Sequence, residues 1–141
     1  MANATPNTIV EGLHERFATI TGLHIILDHE PASIHDTPTL YTLTKRYRKI
    51  EKAGVVVETF EFTHRLIVDS AENTTAEPLL RALIPEVSYC VERDPQLGNR
   101  INKGRAFVEE GIAGYSRING TTYRVMDFTS FTKSSRVVLR P

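Results

Sequence analysis

The chain has 141 residues, with 17 basic and 17 acidic side chains and therefore no formal net charge at pH 7. Hydrophobic residues make up 40% and charged residues 24%, which is the balance of one globular domain with a sizeable core. The zero net charge argues against a dedicated nucleic-acid-binding protein, and the single cysteine, Cys90, excludes an internal disulfide and a cysteine-based zinc site.

No stretch of the sequence has the length of apolar chain that a membrane helix needs. The N-terminal sequence MANATPNT lacks the charged and apolar regions of a signal peptide. We therefore expect no membrane partner, and the single cysteine fits a reducing cytoplasm.

The first predicted helix covers residues 8–20. Apolar residues recur at three- and four-residue spacings, which place them on one helical face: Ile9, Leu13, Phe17 and Ile20. Thr5 or Asn7 caps this helix, Pro6 suits its first turn, and Gly22 is a plausible stop.

The next segments alternate between extended chain and loop. The apolar, β-branched run at residues 23–28 predicts a short buried strand, and the two prolines at residues 29–38 predict a loop. Residues 39–48 begin as an extended segment. Residues 49–54 form a polar turn or the tip of a long hairpin.

The clearest strand signal lies at residues 55–69, where apolar and polar side chains alternate with a period of two. One parity holds Val56, Phe60, Phe62, His64, Leu66 and Val68, and the other holds Thr59, Glu61, Thr63 and Arg65.

A second helix is predicted over residues 75–93, with Asn73, Thr74 or Thr75 as its cap. Its apolar stripe consists of Leu80, Leu83, Ile84, Val87, Cys90 and Val91. The stripe stays in phase across Pro85, which favours one kinked helix; a break at Ile84 is the alternative.

The C-terminal third is predicted to be mostly strand after a loop at residues 94–103. Residues 105–110 form a strand, and the dipeptide Asn119-Gly120 predicts a two-residue hairpin between strands at 114–118 and 121–131. The tail over residues 136–141 is a last short strand or an arm, and such an arm would cover residues 133–141. The element order predicts a single α+β domain, with a mostly antiparallel sheet and both helices on one face.

Several residues are candidates for metal binding or catalysis. The loop sequence DHEPASIHD offers imidazoles and carboxylates that a divalent metal could use: Asp28, His29, Glu30, His35 and Asp36. The spacing matches no helical metal motif, so a polar surface loop is favoured. His64 lies on the apolar parity of its strand and is expected to pack and hydrogen-bond, and Cys90 is expected to fill space.

The basic run at residues 45–52, KRYRKIEK, is the strongest charge cluster. It predicts a contact with an acidic protein surface or a solvated edge that resists aggregation, with nucleic-acid backbone less favoured. The glycine-rich loop GNRINKGR at residues 98–105 matches no phosphate-binding motif and is expected to be mobile until it meets a partner.

Arginines and aromatic residues are predicted to mix on the exposed sheet face, through Arg65, Arg117 and Arg124 among Tyr115, Tyr123 and Phe131. Ordinary strand residues are the alternative. The candidate residues for contacts between subunits or rings are Lys45, Arg46, Tyr47, Arg48, Lys49, Arg65, Arg100, Arg105, Arg117 and Arg124.

The order of these features resembles the tail-terminator proteins of long-tailed bacteriophages, which are also called tail-completion or head–tail joining proteins. The resemblance runs through DHEPASIHDTPTLYTL, ETFEFTHRLIV, AEPLLRALIPEVSYCVERDPQLG and YSRINGTTYRVMDF, and it is most specific in VERDPQLG and INGTTYRVMDF. The chain departs from the family pattern in its strongly cationic basic run, in Pro85 and in its longer tail.

The resemblance implies a virion structural protein without catalysis or cofactor. Such proteins form a ring, commonly a hexamer, that ends the tail tube and joins it to the capsid connector in the neck. The implied partners are other copies of the chain, the major tail-tube protein and the connector or adaptor proteins, and genomic DNA passes through the lumen without sequence-specific binding. Alternatives are another neck adaptor or a tail-tube subunit, and a small metal-dependent enzyme is less favoured.

Overall fold

The computed structural model describes residues 5–101 and 103–138 of the chain. Within those ranges the chain forms two helices and five strands, named here in chain order. They are α1 (Pro6–Phe17), β1 (Ile25–Leu27), β2 (Thr39–Lys52), β3 (Val55–Ser70), α2 (Ala76–Glu92), β4 (Arg105–Ile118) and β5 (Thr121–Val137).

All five strands belong to one sheet with the order β1-β2-β3-β5-β4. The strand β1 runs parallel to β2, and every other neighbouring pair is antiparallel. The predicted α+β class and the mostly antiparallel sheet are therefore confirmed.

Both helices pack on the same face of the sheet, as expected. The alternating side chains of β3 that point to this face are buried, and they meet the apolar stripes of α1 and α2. The main core includes Ile9, Leu13, Phe17, Phe60, Phe62, Leu66, Leu80, Leu83, Val87 and Phe128. The opposite side of the sheet, which neither helix covers, is called the open face below.

The helix α1 begins with a reciprocal cap. The Thr8 backbone N–H donates to the Thr5 hydroxyl at 3.3 Å, and the Thr5 N–H donates to the Thr8 hydroxyl at 3.0 Å. Thr5 and Pro6 thus occupy the predicted positions. The helix ends at Phe17, before the predicted end at residue 20, and the following turn keeps Ile20 buried.

The helix α2 continues through Pro85 from Ala76 to Glu92. The single helix is confirmed, and the alternative break at Ile84 is wrong. Because the side chains before and after the proline share one buried stripe, packing on the sheet holds both halves in one helix. Thr75 is the N-cap, although its side chain makes no capping hydrogen bond.

Several strands differ in length from the prediction. The strand β1 is only three residues long and half-buried, whereas β2 extends through the basic run to Lys52 and turns at Ala53-Gly54. The two predicted segments between residues 105 and 118 form one continuous strand, β4, whose register with β5 shifts between Val108 and Glu110. A bulge absorbs the extra residue, so pairing continues past it.

The predicted hairpin at Asn119-Gly120 is confirmed. Both residues have positive φ, 52° and 85°, and they connect β4 to β5. This is the backbone of a two-residue turn whose twist matches that of the flanking strands.

The loop after α2 is packed rather than free, contrary to expectation. Leu97 and Ile101 are each about 1% exposed and belong to the main core. Asn102 lies outside the described residues. At the other end of the chain, Arg136 and Val137 belong to β5 and Val138 donates its backbone N–H to Gly54 at 2.8 Å, while residues 139–141 of the predicted arm lie outside the described residues.

Candidate interaction surface

The open face contains a groove of about 320 Å³ between the end of the β2–β3 hairpin and the outer strand β4. Its lining includes Arg46, Arg48, Glu61, Phe107, Phe131 and Lys133. The strand register explains this grouping, because Arg46 is paired with Glu61, Glu61 with Phe131, and Phe131 with Phe107 across four adjacent strands. A row across the sheet thus combines charges at one end with aromatic rings at the other.

The aromatic part of the groove is a stacked pair. The rings of Phe107 and Phe131 lie 5.6 Å apart between centroids, with an interplanar angle of 21°. The guanidinium of Arg105 lies 5.1 Å from the centroid of Phe107, at the distance of a cation–π contact. This arrangement gives the groove a flat apolar wall with a cation at its margin.

The charged part of the groove is organised around Glu61, whose side chain is only 9% exposed. Lys45 Nζ lies 3.6 Å from Glu61 Oε1, and Arg46 Nε lies 3.6 Å from Glu61 Oε2. Both distances suit ion pairs but exceed a hydrogen bond. Across the described part of the chain, no donor hydrogen-bonds to the buried Oε2 atom.

The remainder of the basic run lies on the exposed hairpin. Tyr47 packs its ring 5.2 Å from that of Phe60 and donates its hydroxyl to Glu58 Oε2 at 2.8 Å. Arg136 donates to the other Glu58 oxygen at 3.0 Å. Burial alone would raise the pKa of Glu58, but these two hydrogen bonds hold it below its usual value. Arg48 and Lys49 are exposed.

The predicted contact residues do not form one surface. Arg65 lies on the open face and makes a bidentate hydrogen bond to Asp127, with distances of 2.7 and 2.9 Å. This interaction raises the pKa of Arg65 above its usual range. Arg100 contacts α1 instead, and its guanidinium donates to Glu15 at 2.8 Å and to Glu11 at 3.3 Å.

The position of Arg124 shows that the predicted arginines do not share one exposed face of the sheet. It lies on the helical side of the sheet, where its guanidinium donates to Glu77 of α2 at 2.8 Å and covers the ring of Tyr115 at 4.7 Å. The hydrogen bond to Arg124 lowers the pKa of Glu77. Arg117 has the same strand parity as Tyr115 and is exposed near the hairpin turn. Only Arg65, Tyr123 and Phe131 of the six predicted residues belong to the open face.

The buried His64 is part of a chain of hydrogen bonds. Its Nδ1 atom lies 2.7 Å from the Thr42 hydroxyl, and its Nε2 atom lies 2.6 Å from the Ser130 hydroxyl. Thr42 also contacts His14 Nε2 at 2.7 Å. Burial lowers the pKa of His64 to about 3, so its ring is neutral at physiological pH. The predicted packing and hydrogen bonding of His64 are confirmed.

His14 links the hydrogen bonds around His64 to a second cavity. This cavity is a cleft of about 1060 Å³ between α1 and the edge of β2. Carboxylates line its rim through Glu11, Glu15, Asp28 and Glu30. Burial lowers the pKa of His14, and the nearby Asp28 only partly offsets this effect. The cleft therefore presents an acidic rim and a neutral imidazole.

The histidines and carboxylates of the DHEPASIHD loop form separate local pairs. His29 pairs with Asp28 at 3.0 Å, and His24 pairs with Asp36 at 3.1 Å. Within residues 5–101 and 103–138, no group of three or more histidine, cysteine or carboxylate side chains is placed to hold a metal ion. Cys90 is fully buried, donates to the Val87 carbonyl at 3.3 Å, and has a pKa that burial raises to about 11.

The groove was not predicted from the sequence. Glu61 was assigned to the polar, exposed parity of β3, and Phe107 was given no role beyond its strand. The sequence positions of Phe107 and Phe131 do not indicate a groove, because their pairing depends on a register between strands that only the folded sheet defines.

Neither described helix has the length and hydropathy of a membrane span. No known family model matches the chain, and no curated protein matches it either.

Proposed function

We propose that this chain is a bacteriophage virion protein that forms a ring at the head–tail junction, ends the growth of the tail tube and joins the tail to the capsid connector. The ordered sequence resemblance to tail-terminator proteins supports the assignment. The structural observation that carries it is that the two outer edges of the sheet differ, one formed mostly by β2 beyond the short β1 and the other by β4. Such a subunit offers the unlike surfaces that a head-to-tail ring requires.

The first outer surface is the edge of β2. The short strand β1 pairs with β2 only from Thr39 to Tyr41, so the outer edge of β2 over residues 42–50 has no strand partner among the described residues. The basic run lies on this edge. Lysine and arginine side chains discourage uncontrolled strand pairing while leaving the edge available to an acidic partner.

The second outer surface is β4, which pairs with β5 on one side only over Arg105–Ile118. It exposes Glu109 and Glu110 beside Ile112, which is 65% exposed. The middle of this edge therefore carries carboxylates, flanked by the exposed Arg105 and Arg117, where the β2 edge carries mainly cations. Attraction between these carboxylates and the cations of β2 favours association of unlike edges over association of like edges.

The charges also suit a ring through which DNA passes. Phosphate contacts with a strongly basic lumen would retain the DNA. Glu61 partly neutralises Lys45 and Arg46 within the chain. We expect the basic run to point away from the lumen or to meet acidic partners, and an assembled ring with Lys45, Arg46, Arg48 and Lys49 all facing the channel would contradict this.

Imaging of phage particles tests the proposal. In particles of the phage that encodes the chain, density for a ring of this subunit is expected between the tube and the capsid connector. Deleting the gene should give unjoined heads and tails of uncontrolled length, and wild-type protein supplied in trans should restore joined particles. Complete, infectious particles that contain no copy of the chain would overturn it.

The same images separate the two related roles. A tail-tube subunit would appear as many stacked rings along the tail, and a connector-side adaptor would appear on the capsid side of the junction. The expected result for a terminator is one ring at the end of the tube.

A further inference from the structure

The two outer strands of the sheet are each covered at one end and free along the rest. The strand β1 ends opposite Tyr41, so the free stretch of β2 covers residues 42–50. At β4, the Ala106 N–H donates to the Pro95 carbonyl at 2.7 Å, in the loop after α2. Among the described residues, no further backbone–backbone hydrogen bond reaches the outer edge of β4 over residues 107–118, which form its free stretch. Both strands thus keep unpaired backbone along most of their length.

The strand directions make these two free stretches compatible. From β2 through β3 and β5 to β4, each strand runs antiparallel to the next, so β4 runs opposite to β2. When a second copy stands beside the first in the same orientation, its β4 lies antiparallel to β2. The covered part of each strand is its N-terminal part, and antiparallel pairing places that part beyond the free stretch of the other strand. Neither β1 nor the Pro95 loop therefore obstructs the pairing.

The backbone groups at both edges alternate as such a ladder requires. The Pro38 carbonyl accepts from Ile25 of β1 and the Ala106 N–H donates to Pro95, so these groups point out of the sheet edge. Backbone direction alternates along a strand, and each outer strand contains one bulge. The outward residues are then Thr42, Thr44, Tyr47 and Lys49 in β2, and Gly111, Ala113, Tyr115 and Arg117 in β4. All of them carry their side chains on the helical side, so the two copies pair with matching faces.

The ends of the free stretches select the register. With Arg117 of one copy opposite Thr42 of the next, the hairpin end of β4 lies at the end of β1 and Glu110 lies opposite Ile50. A shift of two residues in one direction runs the Asn119-Gly120 turn into β1. A shift in the other direction leaves Thr42 without a strand partner. The register with Arg117 opposite Thr42 therefore uses the whole free stretch of β2.

This register brings Arg117 to the cleft beside α1. Arg117 is exposed, and within residues 5–101 and 103–138 it makes no hydrogen bond or ion pair. Thr42 lines the cleft and contacts His14 of α1. A guanidinium that projects from the helical side of β4 beside Thr42 thus enters the cleft of the neighbouring copy.

The charge of the cleft suits a guanidinium. Its lining contains carboxylates and no lysine or arginine, the carboxylates being Glu11, Glu15, Asp28 and Glu30. Arg100 already binds Glu11 and Glu15, as described above. Asp28 pairs only with His29, and Glu30 makes no ion pair or hydrogen bond among the described residues. Asp28 and Glu30 are therefore the carboxylates available to a cation from another copy.

The side chains on the open face also match in this register. Ile50 is 55% exposed and Ile112 is 65% exposed, and they become diagonal neighbours across the new strand pair. The other diagonal joins Arg48 to Glu110, which have opposite charges. Arg46 lies opposite Gly114, so it meets no second cation. The same pairing thus buries two exposed apolar side chains and forms an ion pair.

We propose that β4 of one copy pairs antiparallel with β2 of the next, with Arg117 opposite Thr42 and its guanidinium bound to Asp28 and Glu30 in the cleft. Each copy offers both halves of the contact, so the contact is heterologous and continues from copy to copy. The inference rests on the proposed ring and specifies the strand register and the ion contact that join its subunits.

Sedimentation of the purified chain over a range of concentrations tests the ion contact. Arg117→Glu should raise the dissociation constant for self-association by at least about 10-fold, because like charges then meet in the cleft. The matched control Arg93→Glu reverses an exposed arginine on neither outer strand and should change the constant by less than about 2-fold. Equal effects of the two reversals, or one subunit at every concentration of the native chain, would overturn the proposal.

A charge exchange between copies identifies the partner carboxylates. The double variant Asp28→Arg/Glu30→Arg should also associate weakly by itself. Mixed with Arg117→Glu, it should regain association, because each copy then meets an opposite charge on both sides. Thermal unfolding of each variant checks that it is folded. A mixture that associates as weakly as its folded components would exclude this pairing.

Disulfide formation tests the register. Leu43 and Ser116 lie opposite each other at a position without ladder hydrogen bonds, where the Cα atoms are about 4.5 Å apart, within the range that a disulfide spans. Under oxidation, Leu43→Cys mixed with Ser116→Cys should give dimers. Gly114→Cys, two residues away on the same face, should give far fewer. The native Cys90 is fully buried and serves as an unreactive background. Equal yields from the two mixtures would contradict the register.

These experiments fail separately from the particle test. A ring at the head–tail junction that forms equally well with Arg117→Glu would exclude this contact and leave the proposed function intact. Self-association through Arg117 and the cleft in a chain that no particle contains would do the reverse.

Discussion

His64 and Ser130 are joined by a 2.6 Å hydrogen bond in the centre of the protein, between adjacent strands of the sheet. Both residues are completely buried, and His64 also contacts the Thr42 hydroxyl. The neutral ring is thus satisfied at both nitrogens, and the Phe17 ring meets it edge-on at 4.9 Å between centroids. The histidine connects β2, β3 and β5 beneath α1.

We expect His64→Ala to destabilise the protein by about 3 kcal/mol, because it leaves a cavity and removes partners from two buried hydroxyls. Chemical denaturation at pH 7 measures the change. His29→Ala removes an exposed imidazole and should cost less than about 0.5 kcal/mol. Equal stabilities of the two variants would contradict a structural role for His64.

The lowered pKa of His64 predicts a loss of stability in acid. The unfolded chain takes up a proton near pH 6.5, whereas the folded ring resists protonation until pH is about 3. Unfolding is therefore favoured as pH falls below 6.5, by about 2 kcal/mol at pH 5 and about 4 kcal/mol once pH reaches the folded pKa. Above pH 6.5 the ring is neutral in both states and contributes no pH dependence.

Denaturant titrations between pH 7 and pH 4 test this slope. Other groups, such as Glu58 and Glu77 with their lowered pKa values, also lose stabilising interactions in acid. The informative quantity is the difference from His64→Leu, which cannot titrate and should have a flatter profile. Parallel profiles for the two proteins would show that His64 does not control the acid response.

Gly120 supports a prediction about the β4–β5 hairpin. Its φ of 85° lies in a region that a β-branched residue resists, so Gly120→Val should cost about 1–3 kcal/mol. Gly114→Val is the matched control, because Gly114 has open space around its missing β-carbon and no positive φ. Thermal unfolding should show a lower midpoint for the Gly120 variant only. An unchanged midpoint would mean that the turn tolerates the side chain.

Gly104 is required for a different reason, the close approach of the backbone just before β4 to the strand β5. A β-carbon at this position would overlap the backbone carbonyl of Lys133, which cannot move without displacing β5. Gly104→Ala should therefore cost about 3 kcal/mol, whereas Gly114→Ala should be close to neutral. Comparable unfolding midpoints for the two alanine variants would contradict this packing.

The sequence predicted local structure better than it predicted the surface. The alternation around Phe62 and His64, the Thr5 cap and the Asn119-Gly120 turn depend on neighbouring residues, so their signals are local. They also sufficed to place both helices on one side of the sheet.

The candidate surface depends instead on register. Glu61 was expected to be exposed, but pairing with β2 brings Arg46 beside it and buries the carboxylate. Arg65 and Arg124 were expected on one face, yet they lie on opposite faces of neighbouring strands. Contacts between residues on different strands and helices have no periodic signal in a single sequence.

Substitutions of Arg65 and Arg48 are expected to affect different properties, the first stability and the second self-association. Arg65 makes a bidentate bond to Asp127 while about a third of each side chain remains exposed, so Arg65→Ala should lower the free energy of unfolding by roughly 1 kcal/mol. Arg48 is an exposed residue of the groove, and Arg48→Glu should leave unfolding almost unchanged. Its reversed charge should instead weaken self-association, since the proposed ring brings the cations of the β2 edge to carboxylates of the next copy. Denaturation and sedimentation of both variants measure the two effects. An Arg48→Glu protein that unfolds early but associates normally would reverse the assignment, because the residue would then support the fold rather than the contact.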